Sequence, residues 1–288
     1  SWLPKAPNTQ LCCIAAECGH LHCLTYLHQQ KIAWDGEAFK AAARYGHLPC
    51  LKYLYAHDNN PPNDLGLAGM TVAGGCMECM KFIVEQKCEL SPHLYCIATQ
   101  RDNDNMCEYL HNQNVPFPVN YTEYLADNDS TRCLQHALTH GLIVNDSQLF
   151  RVKSVQFLFI MHTAGHVWTE HSCSKVAYTC KVELLQFLHK VGCPWDVQTT
   201  QACVNNALNI DCLIFAHEQG CPWNERTAML AASHRNTLAL KYMHSQGFEF
   251  PTDFVTKCVD KGGFSVLVCA HKLGLPWDEE TVRNAISR

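Results

Sequence analysis

A period of about twenty-seven residues runs through the chain and restricts its fold more than any other feature. Trp168, Trp195, Trp223 and Trp277 are separated by 27, 28 and 54 residues, and Trp34 lies 134 before Trp168, close to five periods. A second column, His162, His189, His217, His244 and His271, steps by 27, 28, 27 and 27, with His28 and His111 in register upstream. Two unrelated residue types therefore report one repeat, the signature of a tandem array whose units bury their apolar faces against one another. The units begin near Pro7, Trp34, Asn63, Leu90, Phe117, Val144, Trp168, Trp195, Trp223, Phe250 and Trp277. This predicts ten full repeats and a terminal half repeat in a single domain over 1–288. The sixth unit, Val144 to His166, is the most irregular, a few residues short and with an apolar run from Phe157 to Met161, so a break in curvature is expected there.

The clearest unit, WDGEAFKAAARYGHLPCLKYLYAHDNN, divides at Gly46-His47 into two short segments. In the first, Ala38, Phe39, Ala42 and Ala43 recur at helical spacing, and Asp35 precedes them as an N-cap. In the second, Cys50, Leu51, Tyr53 and Leu54 form a wide apolar stripe. Helices this short are marginal in water, so each pair must stack on its neighbours. The reading is all-α, a solenoid of helix-turn-helix repeats. Leucine-rich repeats have similar periods, but their LxxLxLxxN strand signature does not recur here.

Composition narrows the function classes. The 22 Lys+Arg and 27 Asp+Glu leave a net charge of −5 without a basic cluster, from which nucleic acid is not expected as a partner. The longest apolar run, Leu11 to Ala16, is far shorter than a membrane-spanning helix, so no membrane partner is expected either, and the chain is read as a monomer. Nineteen cysteines are an odd number and cannot all pair within one chain. The opening Ser1-Trp2, lacking Met and a signal-like segment, reads as a processed chain or a fragment.

Ala42-Ala43-Arg44-Tyr45-Gly46-His47-Leu48, followed by Leu51-Lys52-Tyr53-Leu54, resembles the AAxxGHLxxLxxLL core of the ankyrin repeat, as does Ala15-Ala16-Glu17-Cys18-Gly19-His20-Leu21. The likeness thins to Gly74-Gly75 in the third unit, Ala231-Ala232 in the ninth and Gly262-Gly263 in the tenth. The TPLH tetrapeptide is absent, and each unit lacks about six residues of an ordinary 33-residue repeat, most easily from the β-hairpin. With Gly192-Cys193-Pro194-Trp195-Asp196 and Gly220-Cys221-Pro222-Trp223-Asn224 as linkers, the chain is similar to the short, divergent ankyrin-type repeats expanded in protists and large DNA viruses.

That resemblance implies an ankyrin-like solenoid with reduced or absent hairpins. It also implies that the two positions between the Ala-Ala pair and the Gly-His turn face a concave side and contact a partner. Carried over by alignment, those positions hold Glu17 and Cys18 in the first repeat and, as the partner contacts picked from it, Arg44 and Tyr45, Gln100 and Arg101, Asp127 and Asn128, Tyr178 and Thr179, Ser233 and His234, and Asp260 and Lys261. The implied activity is a non-enzymatic protein-protein interaction scaffold, in context a secreted effector acting on host proteins in a reducing cytosol. The alternatives are a metal-dependent or thiol enzyme using the Cys/His surplus, or a targeting segment of a larger adaptor.

The remaining chemical-looking residues have structural readings. Cys23, Cys50, Cys79, Cys133 and Cys212 share one column of the second helix with Met, Leu, Ala and Val elsewhere, the exchange pattern of a small apolar core. Cys76-Met77-Glu78-Cys79 is a CxxC without the second pair that a structural zinc site needs. The periodic histidines are assigned to the helix C-terminus and its last carbonyls, and the Trp column to packing between units. Asp35, Asp146, Asp196 and Asp278 are read as N-caps. With no nucleophile, P-loop or metalloprotease motif, neither catalytic nor metal residues are assigned and no cofactor is expected.

Overall fold

The computed structural model describes residues 8–277 except 208 and 262, together with 279 and 283; the side chains of 8, 260 and 261 lie outside that description. The chain divides into two compact units, Ser1–Leu142 and Ile143–Arg288. Among the described residues every regular element is helical, and no helix is long and apolar enough to cross a membrane.

The first unit holds five helical pairs: α1 (Asn8–Glu17) and α2 (Leu21–Gln29), α3 (Gly36–Arg44) and α4 (Leu48–His57), α5 (Leu65–Gly74) and α6 (Met77–Glu85), α7 (His93–Thr99) and α8 (Asp104–Asn112), α9 (Tyr121–Asn128) and α10 (Thr131–Thr139). The first helices pack in sequence, α1 on α3, α3 on α5, α5 on α7 and α7 on α9. The second unit begins with a 3-10 helix (Asp146–Arg151) before α11 (Val155–Thr163), so the irregular sixth repeat keeps its pair but tightens its first helix. Then come α12 (Glu170–Ala177) and α13 (Val182–Lys190), α14 (Val197–Cys203) and α15 (Asp211–Glu218), α16 (Glu225–Ser233) and α17 (Thr237–Ser245), α18 (Phe254–Lys261) and α19 (Gly263–Lys272). Here too α12, α14, α16 and α18 pack in order.

The contact faces explain why such short helices persist. In α3 the buried residues are Ala38, Phe39, Ala42 and Ala43, and in α5 Leu67, Ala68, Thr71 and Val72; small side chains let neighbouring first helices approach closely. The second helices bury larger residues, such as Leu51 and Leu54 in α4, each worth about 1.5–3 kcal/mol when fully removed from water. Two of the expected N-caps fall where the sequence puts them. The Asp35 carboxylate accepts from Glu37 N at 3.1 Å and that of Asp196 from Gln198 N at 2.8 Å. Gly46, at φ +78°, turns the chain from α3 to α4 in the left-handed conformation that favours glycine.

Three recurring contacts join repeat to repeat or close a repeat on itself, and each spans more than twenty residues or a linker. First, the residue capping a second helix reaches the carbonyls that end a neighbouring first helix or its turn. His47 Nε2 donates to Glu17 O at 2.9 Å, Ser130 Oγ to Thr99 O at 2.7 Å, and Asn236 Nδ2 to Val204 O and Asn206 O at 3.1 and 2.8 Å. These bonds satisfy helix-end carbonyls that lack an intrahelical partner. Second, the linker cysteine folds back on the N-cap of the repeat it follows: Cys88 Sγ reaches Asp64 O, Cys193 Sγ reaches Thr169 O and Cys221 Sγ reaches Asp196 O, at 3.4, 3.4 and 3.2 Å. Third, the histidine ending the second helix meets the linker aromatic six residues on. His217 stacks on Trp223 at 3.7 Å and 11°, and His189 on Trp195 at 4.2 Å and 15°.

An aromatic residue of the next second helix closes each group edge-on: Tyr242 against Trp223 and His217, Phe215 against Trp195 and His189. His217 Nδ1 also lies 3.2 Å from Tyr242 Oη, as His28 Nδ1 lies 2.8 Å from Tyr53 Oη. The Trp column thus packs between units. The histidine column does so as well, so the expected service to helix-end carbonyls is replaced by stacking on a neighbouring ring. Cys23 departs from its column: Cys50, Cys79, Cys133 and Cys212 are buried, whereas Cys23 is exposed because no described helix packs on that side of α2.

Candidate functional site

The twelve residues picked from the alignment fall at one structural position, the C-terminal end of the first helix of a repeat and the turn that follows. Arg44 ends α3 and Tyr45 caps it, Gln100 caps α7 with Arg101 beside it, and Asp127 and Asn128 end α9. In the second unit Tyr178 caps α12 ahead of Thr179, and Ser233 and His234 close α16. Asp260 and Lys261 lie at the end of α18, and their side chains are outside the described residues. Tyr45 and Tyr178 are 52% and 53% exposed, large rings with half their surface free for contact. Arg44 brings its guanidinium to 5.9 Å from the Tyr45 ring centroid, a cation–π pair on the surface.

Because the first helices pack in order and the capping bonds tie their C-terminal ends together, each unit lines these residues up in one row. Within the first unit the row reads Arg44-Tyr45, Gln100-Arg101 and Asp127-Asn128. Its third-repeat position is Gly74, which packs against the Arg44 carbonyl and leaves a gap between the second and fourth members. Asn128 Nδ2 donates to Tyr124 O at 2.8 Å and Ser233 Oγ to Leu230 O at 2.9 Å, so those two side chains are already engaged with their own helices.

The cysteine surplus is mostly core. Of the 19 thiols, Cys18 and Cys23 are exposed, Cys13, Cys76 and Cys180 half-buried, and the other fourteen buried. Burial pushes Cys79 and Cys221 up to about 12 and Cys88 up to about 11, so they stay protonated and poorly nucleophilic at neutral pH. Two pairs meet: Cys107 and Cys133 Sγ at 3.6 Å, and Cys173 and Cys193 Sγ at 3.0 Å; in each, the thiol hydrogen bond and then burial raise the pKa of one partner, Cys133 and Cys173. Native titration with an aromatic disulfide reagent should release two fast equivalents, Cys18 and Cys23, and at most three slower ones. The full nineteen should appear only after unfolding. Release of any of the fourteen buried thiols before unfolding would contradict this burial pattern.

One polar cluster lies outside the repeat columns. Glu108 on α8 and His136 and His140 on α10 bring a carboxylate oxygen and two imidazole nitrogens within 4.8 Å of one another. Burial, then the neighbouring His140, hold His136 below its ordinary value and therefore neutral. The one local signal for it is the i, i+4 spacing of His136 and His140, which puts both on one face of a helix. Neither belongs to the periodic histidine column, so the repeat pattern does not single them out.

Asp146 also behaves otherwise than expected. Asn145 is the N-cap of the 3-10 helix, and the Asp146 carboxylate turns instead to the start of α12. It accepts from Thr169 Oγ1, from Ser172 Oγ at 2.7 Å and from His166 Nε2 at 3.0 Å. Asp278, the other acid expected to cap, lies outside the described residues.

No family model and no curated protein matches the chain. Among solved structures it is similar to the pentatricopeptide repeat protein PPR10 in complex with an 18-nt psaJ RNA element, at 14% identity and a TM-score of 0.39, covering 97% of this chain and 45% of that one. A form of PPR10 with three cysteines replaced by serine, in complex with the same RNA element, gives the same figures. The chain thus spans less than half the length of these matches. Both are repeat proteins in complex with RNA, and they stand against the expectation drawn above from net charge that nucleic acid is not a partner. A charge summed over the whole chain says nothing about any one face, so net charge alone does not exclude such a partner. What the helices and their packing establish is that the chain is an all-helical tandem-repeat protein built from helix-turn-helix units.

Proposed function

We propose that the protein is a non-enzymatic binding scaffold of ankyrin-like ancestry, whose row of first-helix C-terminal residues receives a protein partner. The observation that carries this reading is the contrast between columns. Ala42, Ala43, Thr71, Val72, Ala98, Thr99, Ala231 and Ala232 are buried and small or of middling size, while the next two positions are exposed or half-buried and differ from repeat to repeat in charge and shape. A rigid row of this kind offers a partner preorganised contacts, so little ordering entropy opposes binding. Tyr45, Arg44, Arg101 and Tyr178 are the side-chain types that most often dominate interface energetics. The buried, protonated thiols favour this reading over a thiol enzyme and suit action in a reducing compartment.

The test compares the full chain with an Arg44→Ala, Tyr45→Ala, Arg101→Ala triple variant in cross-linking from lysate, with and without ribonuclease. All three side chains are exposed, so the variant should keep its helical circular dichroism. The expected result is a ribonuclease-resistant protein partner that cross-links to the wild type and is reduced at least about tenfold with the variant, the loss that one or more interface anchors would cause. Retention of every partner by the folded variant would overturn the assignment of the row, and a partner lost on ribonuclease treatment would replace protein by RNA.

A further inference from the structure

We propose that Glu108, His136 and His140 form a binding site for one divalent transition-metal ion of the zinc class, bridging α8 and α10. The ligand set is two imidazole nitrogens and one carboxylate oxygen, a donor mixture that zinc accepts and that the all-oxygen preference of calcium and magnesium disfavours.

Four observations support it. The first is geometric. Glu108 Oε2 lies 3.0 Å from His136 Nε2 and 3.6 Å from His140 Nε2. Tetrahedral ligands held at the usual zinc bond lengths sit about 3.3 Å apart, between those two values. All three ligand atoms lie within 4.8 Å of one another, the span over which side chains can converge on a common ion. The second is an orphaned buried group. The His136 side chain is 7% exposed; its Nδ1 has no hydrogen-bond partner, and its Nε2 has only the Glu108 carboxylate, 3.0 Å away. A buried imidazole left unpaired is costly, and an ion is one of the few groups that satisfies it.

The third is the outer shell. His140 Nδ1 lies 2.9 Å from His136 O and donates to it, which fixes the tautomer and leaves Nε2 as a lone pair facing Glu108. The ring of His111, 4.2 Å from His140 centroid to centroid, packs behind it. The fourth is access: a cleft of about 480 Å³ lined by Glu108, Arg132, His136 and Thr139 opens on two of the three ligands, giving an entry path and room for water in a fourth position. Such an ion clips the second helices of adjacent repeats, which already meet through the Cys107–Cys133 thiol contact and the Arg132–Asp104 ion pair.

Zinc itself is the probe, applied to the full chain kept reduced. Equilibrium dialysis with metal quantification should find one tight equivalent in the wild type. His140→Ala and Glu108→Gln, at half-buried and exposed positions, should lose it, with affinity falling by about 100-fold, the upper end of what even outer-shell changes cause. X-ray absorption at the zinc edge should show a shell of nitrogen and oxygen. The second measurement is needed because the chain carries many thiols. If folded His140→Ala retains the tight equivalent, or if sulfur occupies the first shell in the wild type, the site is elsewhere and the proposal fails.

Discussion

Replacing Gly74 by alanine is expected to lower the stability of the Ser1–Leu142 unit by about 3 kcal/mol, the upper range for forcing atoms into packed space. A Cβ at this position would lie 2.1 Å from the Arg44 carbonyl oxygen and 2.7 Å from its carbon. Both are backbone atoms at the end of α3, so no rotamer change relieves the clash, and α5 must move away from α3. That movement would also break the surface of buried Ala42, Ala43, Thr71 and Val72 between the two helices. Gly36→Ala supplies the contrast, since nothing lies within 4 Å of its added methyl group. There the change should be neutral or stabilising by about 0.5–1 kcal/mol, through the reduced entropy of the unfolded chain. Urea unfolding followed by circular dichroism reads both variants. Equal midpoints for Gly74→Ala and wild type would show that α3 and α5 are not so closely apposed.

Asp146→Ala should destabilise the Ile143–Arg288 unit by a similar amount, about 3 kcal/mol, and in a pH-dependent way. Its carboxylate joins the 3-10 helix to the start of α12 through Thr169, Ser172 and His166, with Ser172 fully buried. Burial pushes the Asp146 pKa up, but the hydrogen bonds from Thr169, Ser172 and His166 outweigh it and hold the group below its usual value of 3.8. A carboxylate depressed in the folded state contributes its full stability above the unfolded-state value and loses it as pH falls through the folded one. The gap between wild type and variant should therefore be constant from neutral pH to about 5 and narrow below about 4. A gap that stays constant to the acid limit would mean the charge of Asp146 is not what holds α12.

These two residues also mark how far the chain is legible without its tertiary structure. Asp35 and Asp196 act as N-caps where the sequence puts them because capping is settled within three residues of the carboxylate. Asp146 has the same local appearance, yet its partners lie 20 to 26 residues away, and nothing in the local pattern names them. The Gly-His turns are readable as helix ends, but the histidine's acceptor, Glu17 O for His47, sits one repeat back. In the same way the histidine column is visible in the sequence while its stacking geometry is not.

The sequence alone determined the period, the helix-turn-helix unit, the all-helical class and which columns are core, since each depends on spacing within a single unit. The tertiary structure decided what those units present to one another. It set Cys23 apart from its buried column, placed Gly74 against a backbone carbonyl, and brought Glu108 opposite His136 and His140. The physical reason is that a repeat fixes its own helices by local propensity and pattern, whereas contacts between repeats depend on how neighbouring helices lie against each other. A residue's own unit does not record that offset.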